Sequence, residues 1–314
     1  MKIFNSLEQI VDVEESVIAL GNFDGVHLGH QKLIFRAVRN AKSAGKKSAV
    51  FTFSNHPLNV ISGKSTVKNV ITFEEKADLL SKLGVEYLFS FEFCDYIRKS
   101  SPYDFCKTIL VDSLQAQEVF CGFNYRFGYK AEGTPHTLTG YGLELGFKTT
   151  VIDPVTTEGT TVSSTNIRNA VAAGEMDKYL LFTGRRYAIK GHVIKGLKFG
   201  RRIGFPTINL ALDPSMIMPK SGVYVTQTTV DGEVHDSITN VGNKPTIGIF
   251  EKNAETHIFG FSRNIYGQDV RIEFIKMLRS EMAFNSFEAL TSQIEIDCRK
   301  AKEYHVYNNR REIK

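Results

Sequence analysis

The stretch that most constrains this chain is residues 16–30, Ser-Val-Ile-Ala-Leu-Gly-Asn-Phe-Asp-Gly-Val-His-Leu-Gly-His. Residues 17–20 form an uninterrupted apolar run, short enough for one buried parallel strand. Gly21, Gly25 and Gly29, with Asn22 and Asp24 among them, then force a sharp turn. From about residue 30 to 44, Leu33, Ile34, Ala37, Val38 and Ala41 recur at helical spacing. Strand, tight loop and helix in that order point to a parallel sheet. His27 and His30 fall at the junction, where free N–H groups and the helix dipole favour an anion. Two readings stand here. The histidines cap a plain turn, or they face a phosphate that Gly29 allows close to the backbone. Neither G-x-x-x-x-G-K-S/T nor G-x-G-x-x-G is present, so the chain offers no P-loop and no dinucleotide fingerprint here.

The alternation continues. Strands are expected at 47–53, 85–91, 118–121 and 147–152, and helices at 73–83 and 101–114, the latter with Ser101 as N-cap and Pro102 at the first helical position. Ser54-Asn55-His56-Pro57 breaks the chain after the second strand. This pattern predicts a doubly wound parallel sheet with ligands beyond the carboxyl ends of its strands. Three such ends carry candidate residues: the His27–His30 loop, His56, and Gly122-Phe123-Asn124-Tyr125-Arg126-Phe127-Gly128. Further on, Ser163-Ser164-Thr165-Asn166-Ile167-Arg168 opens an alanine-rich helix to 173. Its hydroxyls serve either as caps or, with an Arg one turn later, as a phosphate cradle.

After residues 182–186, expected as a linker, the period becomes two. Residues 187–194, 223–230, 233–241, 256–261 and 270–275 read as antiparallel strands, with Asp231-Gly232 as a hairpin turn, and 286–304 as a closing amphipathic helix. A small β-barrel is predicted. The 314 residues accommodate two domains, 1–182 and 183–314. A net charge of +5, with basic residues spread along the chain, suits phosphorylated ligands and argues against nucleic acid as the main partner. No apolar run reaches the roughly 18 residues of a membrane span, so no membrane partner is expected. Cys94, Cys106, Cys121 and Cys298 lack C-x-x-C spacing, and the expectation is a reduced, cytoplasmic protein whose homo-oligomerisation is left open.

Gly-Asn-Phe-Asp-Gly-Val-His-Leu-Gly-His resembles the H-x-G-H nucleotidylyltransferase signature in the form seen in bacterial FAD synthetases. Residues 163–168 resemble the S-S-T-x-I-R motif of the same family. The resemblance implies that His27 and His30 are catalytic, and that Asn22, Phe23, Asp24, Gly29, Ser164, Thr165 and Arg168 hold ATP and its phosphates. It implies flavin contacts from His56, Asn124 and Arg126. Residues 191–209 (Gly-His-Val-Ile-Lys-Gly-Leu-Lys-Phe-Gly-Arg-Arg-Ile-Gly-Phe-Pro-Thr-Ile-Asn) resemble the riboflavin kinase pattern. There the likeness assigns ATP or phosphate binding to Gly191, Lys195, Gly196, Gly200, Arg201, Thr207 and Asn209. It further makes Thr207 and Asn209 Mg²⁺ ligands, Glu255 the base for the riboflavin 5′-hydroxyl, and Arg279 a flavin contact. The implied chemistry is riboflavin and ATP to FMN, then FMN and ATP to FAD and pyrophosphate. An alternative keeps adenylyl transfer alone, with the barrel as a flavin-sensing module; a non-catalytic flavin-binding regulator is a third. Arg186, where Pro is common, and Gly260, where Asp is frequent, depart from the pattern.

Overall fold

The computed structural model describes residues 1–196, 200, 203–246 and 249–312, with the backbone alone at 243–246, 249–252 and 308–312. The chain divides into two compact units, Met1–Ser164 and Thr165–Lys314.

In the first unit, six strands form one parallel sheet. They are β1 (Lys2–Phe4), β2 (Ser16–Leu20), β3 (Lys47–Phe53), β4 (Tyr87–Phe91), β5 (Ala116–Gly122) and β6 (Lys148–Ile152), in the order β1-β4-β3-β2-β5-β6. All five residues of β2 are buried, as are all five of β4, because helices cover both faces of a parallel sheet. β2 pairs with β3 on one side and β5 on the other, so strand order reverses between β2 and β5. Such a switch point opens a crevice at the strands' carboxyl ends. The helices are α1 (Leu28–Ala44), α2 (Pro57–Ser62), α3 (Phe73–Lys82), α4 (Asp95–Lys99), α5 (Pro102–Asp104) and α6 (Pro135–Leu145). Their apolar faces and the sheet build a core around Ile18, Leu20, Phe51, Phe89, Phe105 and Leu138. A small hairpin, β7 (Thr156–Thr157) with β8 (Thr160–Thr161), follows the sheet.

The five parallel strands and the main helices expected from the sequence are present. The differences are local and have causes. α1 starts two residues early because the His27 side chain caps it. The break expected at 54–57 is present, with His56 extended at φ -82° and ψ 120°, and what is not expected from the sequence is the helix that Pro57 then opens with His56 as N-cap. Ser101 does cap α5, accepting from Asp104 N–H at 3.0 Å, but the helix then widens into a π-helix over Phe105–Ser113. β1 is three residues long and carries too little pattern to be read.

Helix α7 (Ser164–Ala173) starts on the last residue of the first unit, and in the second unit it and α8 (Met176–Thr183) precede a closed six-stranded barrel. Its strands are β9 (Tyr187–Ile194), β10 (Ile208–Ala211), β11 (Gly222–Val230), β12 (Glu233–Thr246), β13 (Ile249–Ile258) and β14 (Asp269–Ser280), in the order β10-β13-β12-β11-β14-β9, with β10 pairing back to β9. The Asp-Gly turn holds Asp231 at φ 51° and Gly232 at φ 83°, both left-handed, which matches the twist of the flanking strands. Phe182 and Thr183, expected in a linker, close α8 and are buried, with the Tyr179 ring edge-on to Tyr187 at 5.2 Å. Inside the barrel a ladder of buried hydroxyls links Thr228, Ser237, Thr226, Thr239 and Thr256 at 2.8 Å per step. The three middle hydroxyls, Ser237, Thr226 and Thr239, can each donate to one neighbour and accept from the other, which satisfies the middle of the polar stripe inside the barrel. On the outside, Val223, Val225, Ile238, Cys298 and Ala301 pack the closing helix α9 (Phe287–Glu312) onto the barrel.

Candidate active sites

The first site is the loop from β2 to α1. His27 is 6% exposed, and its Nδ1 accepts the His30 N–H at 3.2 Å, so a neutral His27 carries its proton on Nε2. The cap and the anion-facing role are therefore compatible on one ring. His30 stacks on His27 with centroids 3.5 Å apart and an interplanar angle of 17°. A Cβ on Gly29 would lie 3.1 Å from His27 Cε1, so glycine there lets the imidazole sit against the helix start.

Four residues further back, the backbone is strained. Phe23 (φ 50°) and Val26 (φ 34°) are left-handed without being glycine, with Gly25 at φ 81° between them. Such positions cost about 1–3 kcal/mol each and persist only where surroundings over-determine them. The surroundings do so here. The Phe23 ring is fully buried, edge-on to His30 at 5.1 Å. The Asp24 carboxylate, 3% exposed, accepts the Val70 N–H at 2.9 Å, and the Asp24 carbonyl accepts the Ser164 hydroxyl at 2.8 Å. The Val26 carbonyl accepts from Gln31 Nε2 at 2.9 Å. The Asn22 carbonyl accepts from both Thr52 Oγ1 (3.0 Å) and Lys76 Nζ (3.1 Å).

The bond to the Asp24 carbonyl is made by Ser164, the last residue of the first unit; in the second unit Thr165 is exposed and Arg168 half-buried. His56 stands at the carboxyl end of β3, half-buried, its Nδ1 accepting Leu58 N–H at 3.3 Å. Beside it Asn55 Oδ1 accepts the Phe93 N–H at 2.8 Å and holds the ends of β3 and β4 together. Asn124 and Arg126 are exposed on the loop after β5, alternating with Tyr125 and Phe127, which stack at 5.7 Å and anchor that loop. Burial pushes the Tyr125 phenol well above its ordinary range.

The second site lies on the barrel wall. Asn209 of β10 is directly opposite Glu255 of β13, two residues 46 positions apart in sequence brought side by side by register. Asn253, on the same face of β13 as Glu255, donates to Asn209 Oδ1 at 3.1 Å and to Glu255 Oε1 at 3.3 Å. Gly196 lies against the Asn209 amide, where a Cβ would come within 2.9 Å of Cγ. Gly191 lies under the Ala211 carbonyl, and Gly200 under that of Phe205, with no room for a Cβ at either. Thr207 is half-buried and Lys195 exposed; Arg201, with residues 197–199 and 202, lies outside the described residues. One step further along β13, His257 Nδ1 bonds the Pro206 carbonyl at 2.7 Å; a carbonyl only accepts, so that nitrogen carries the proton. Burial, with a smaller contribution from Lys302, lowers the His257 pKa against this hydrogen bond. Phe205 packs edge-on to His257 and lines a groove of about 630 Å³ with Cys298, Arg299, Lys302, Val306 and Tyr307 of α9. The Arg279 guanidinium is held by the buried Asp297 of α9, with Nε and a terminal nitrogen both 2.8 Å from Oδ2. Arg186, one of the two departures, reaches Gln227 of β11 at 2.7 Å; Gly260, the other, is an exposed turn at φ 67°.

Two comparisons show the family to which the chain belongs. The FAD synthetase family model matches residues 9–166, and the riboflavin kinase family model matches residues 183–305. The curated bifunctional riboflavin kinase/FMN adenylyltransferase of Bacillus subtilis is 38% identical over 92% of each chain. The chain belongs to the bifunctional riboflavin kinase/FMN adenylyltransferase family. Members from Listeria monocytogenes (38% identical, 90% of each chain) and Escherichia coli (30%, 93% of each) show the same end-to-end likeness. The architecture also matches a solved structure from Streptococcus pneumoniae described as a macrolide-efflux protein, at TM-score 0.87 and 28% identity over 96% of this chain and 98% of that one. Among the described residues of this chain, no helix is long and apolar enough to cross a membrane.

Asn253 and Lys76 were not singled out in the sequence. Asn253 had a signal, since it stands two residues before Glu255 in an alternating strand and must share its face. Lys76 had none, since a lysine in a helical stretch reads as a surface residue and only the docked helix buries it.

Proposed function

We propose that this chain phosphorylates riboflavin to FMN with ATP and then adenylylates FMN with a second ATP, releasing pyrophosphate. The observation that carries the reading is that each half keeps its own polar cluster. His27 stacks on His30 at a helix start in one, and Asn253 bridges Asn209 and Glu255 in the other. We assign adenylyl transfer to residues 1–182 and the kinase to 183–314, a division supported by the kinase match beginning at residue 183.

In adenylyl transfer the FMN phosphate attacks the α-phosphorus of ATP, and no protein nucleophile is required. His27 and His30 donate to the phosphate oxygens as charge builds on them, and the N-terminus of α1 adds its dipole. The motif assigns the hydroxyl of Thr165 and the guanidinium of Arg168 to the departing pyrophosphate, and Ser164 to the loop, where its hydroxyl donates to the Asp24 carbonyl. Asn22, Phe23, Asp24 and Gly29 shape the receptive turn. Asn124, Arg126 and His56, at neighbouring strand ends, receive the flavin nucleotide.

In the kinase step Glu255 accepts the proton of the riboflavin 5′-hydroxyl as that oxygen takes the γ-phosphoryl group of ATP. Thr207 and Asn209 are hard oxygen donors of the kind Mg²⁺ takes, one or two from protein with the rest from phosphate and water. Among the described residues no cluster of three or more His, Cys, Asp or Glu offers an all-protein metal cage, which suits that arrangement. When bound, Mg²⁺ neutralises charge on the transferred phosphoryl group. Gly191, Lys195, Gly196, Gly200 and Arg201 are assigned to the nucleotide phosphates by the motif they form in sequence. The flavin ring enters the groove beside Phe205, because His257 lies two residues, about 7 Å, along β13 from Glu255, within the span of a ribityl chain. Arg279 supports that groove by fixing α9 through Asp297. The free cysteines, three of them buried, are in keeping with a reducing cytoplasm.

Incubating the protein with riboflavin, ATP and Mg²⁺, and following flavins by chromatography, tests this. FMN should appear first and FAD second. A stall at FMN would reduce the chain to a kinase, and FAD formed only from added FMN would leave the barrel as a sensor.

A further inference from the structure

A lysine is rarely buried without a task, because removing an ammonium from water is costly. Lys76 of α3 is 8% exposed, and its Nζ is directed at a backbone oxygen of the first site, the Asn22 carbonyl. Thr52 of β3, itself fully buried, donates its hydroxyl to the same oxygen. A carbonyl has two lone pairs, so these two side chains saturate it. Asn22 is the residue immediately before the strained turn that carries Phe23, Gly25 and Val26 in left-handed conformations. A peptide in such a turn relaxes most simply by rotating its carbonyl, and a carbonyl oxygen rotated into an anion site repels the phosphate it should admit. The nearby buried Asp24 carboxylate helps keep the lysine charged against the effect of its burial.

We propose that Lys76 is a positioning residue for adenylyl transfer: with Thr52 it locks the Asn22 carbonyl against α3 and β3, and so holds the loop before His27 in its phosphate-receptive form. This rests on the adenylyltransferase reading of the first site. Lys76 touches no reacting atom; it acts through the backbone of the loop. Its loss should therefore appear in turnover of one activity, with the other serving as an internal control.

The test uses the full-length protein with supplied FMN, ATP and Mg²⁺, alongside riboflavin phosphorylation by the same preparation. Lys76→Met keeps the length and removes the charge and the donors. It should lower kcat for FAD formation about 10-fold or more, exceeding any change in KM for ATP, and leave FMN formation within about two-fold. Lys76→Arg, which keeps charge and donors, should recover part of the loss. Thr52→Val, nearly isosteric, removes the second donor and should lower the same kcat by a smaller factor. A folded Lys76→Met protein with wild-type kcat for FAD formation would overturn the proposal. Should Lys76→Met fail to fold, wild-type turnover by Thr52→Val would overturn it instead. A wild-type protein that makes no FAD from FMN would sink the underlying reading, an outcome visible before any variant is made.

Discussion

The two candidate sites make opposite uses of a β-sheet. In the first unit the candidate residues of the β2–α1 loop lie past the ends of parallel strands, at the point where strand order reverses, and β2 and β4 are wholly buried. The loop is contiguous in sequence and is shaped by backbone strain held from behind by Thr52, Lys76, Val70 and Ser164. In the second unit the candidate residues lie on the strands. Asn209, Asn253 and Glu255 come from β10 and β13, and pairing register brings them together. A loop site is therefore sensitive to what supports its backbone, and a strand site to what faces its side chains.

Substitutions can separate the two. Glu255→Gln should have the largest effect, abolishing FMN formation from riboflavin while FAD formation from supplied FMN stays within about two-fold of wild type. Loss of both activities in a folded variant would show that the sites are not independent. His30→Ala should do the reverse, lowering FAD formation about 10²–10³-fold, the usual cost of one transition-state donor, with FMN still produced. Asn253→Ala should cost the kinase about 10-fold, because it removes the hydrogen bonds from Asn253 to both Asn209 and Glu255, and should leave FAD formation from FMN untouched. An unaffected kinase would mean that the bridge is incidental.

The smallest effect is on stability. Burial holds the His257 pKa below its ordinary 6.5, so between that value and the lower folded one the unfolded chain takes up a proton that the native barrel refuses. Stability from this group is therefore lost as pH falls through that window. The Tm advantage of wild type over His257→Asn should narrow between about pH 7.5 and pH 5, in thermal melts at matched ionic strength. A constant gap would mean that the ring protonates equally well in the fold.

How much of this the chain disclosed follows the same contrast. The β2–α1 loop was legible because glycines, histidines and the helix pattern are consecutive, and the Asp231-Gly232 hairpin because turn chemistry is local. The supports of the loop were not, since Lys76 lies 54 residues from Asn22 and looks like any helix-surface lysine until α3 is docked. Strand β10 escaped notice because four residues between a Pro and an Asp carry no period of their own. The buried hydroxyl ladder likewise reads as an exposed polar stripe until the barrel closes around Thr226 and Thr239.

The central claim is that two independent sites on one chain act in series through FMN. Mixing the His30→Ala and Glu255→Gln proteins with riboflavin, ATP and Mg²⁺ tests it most directly. Alone, the first should stop at FMN and the second should leave riboflavin unchanged. Together they should make FAD, because FMN released by one is substrate for the other. A mixture of two folded variants that accumulates FMN and never yields FAD would contradict the account.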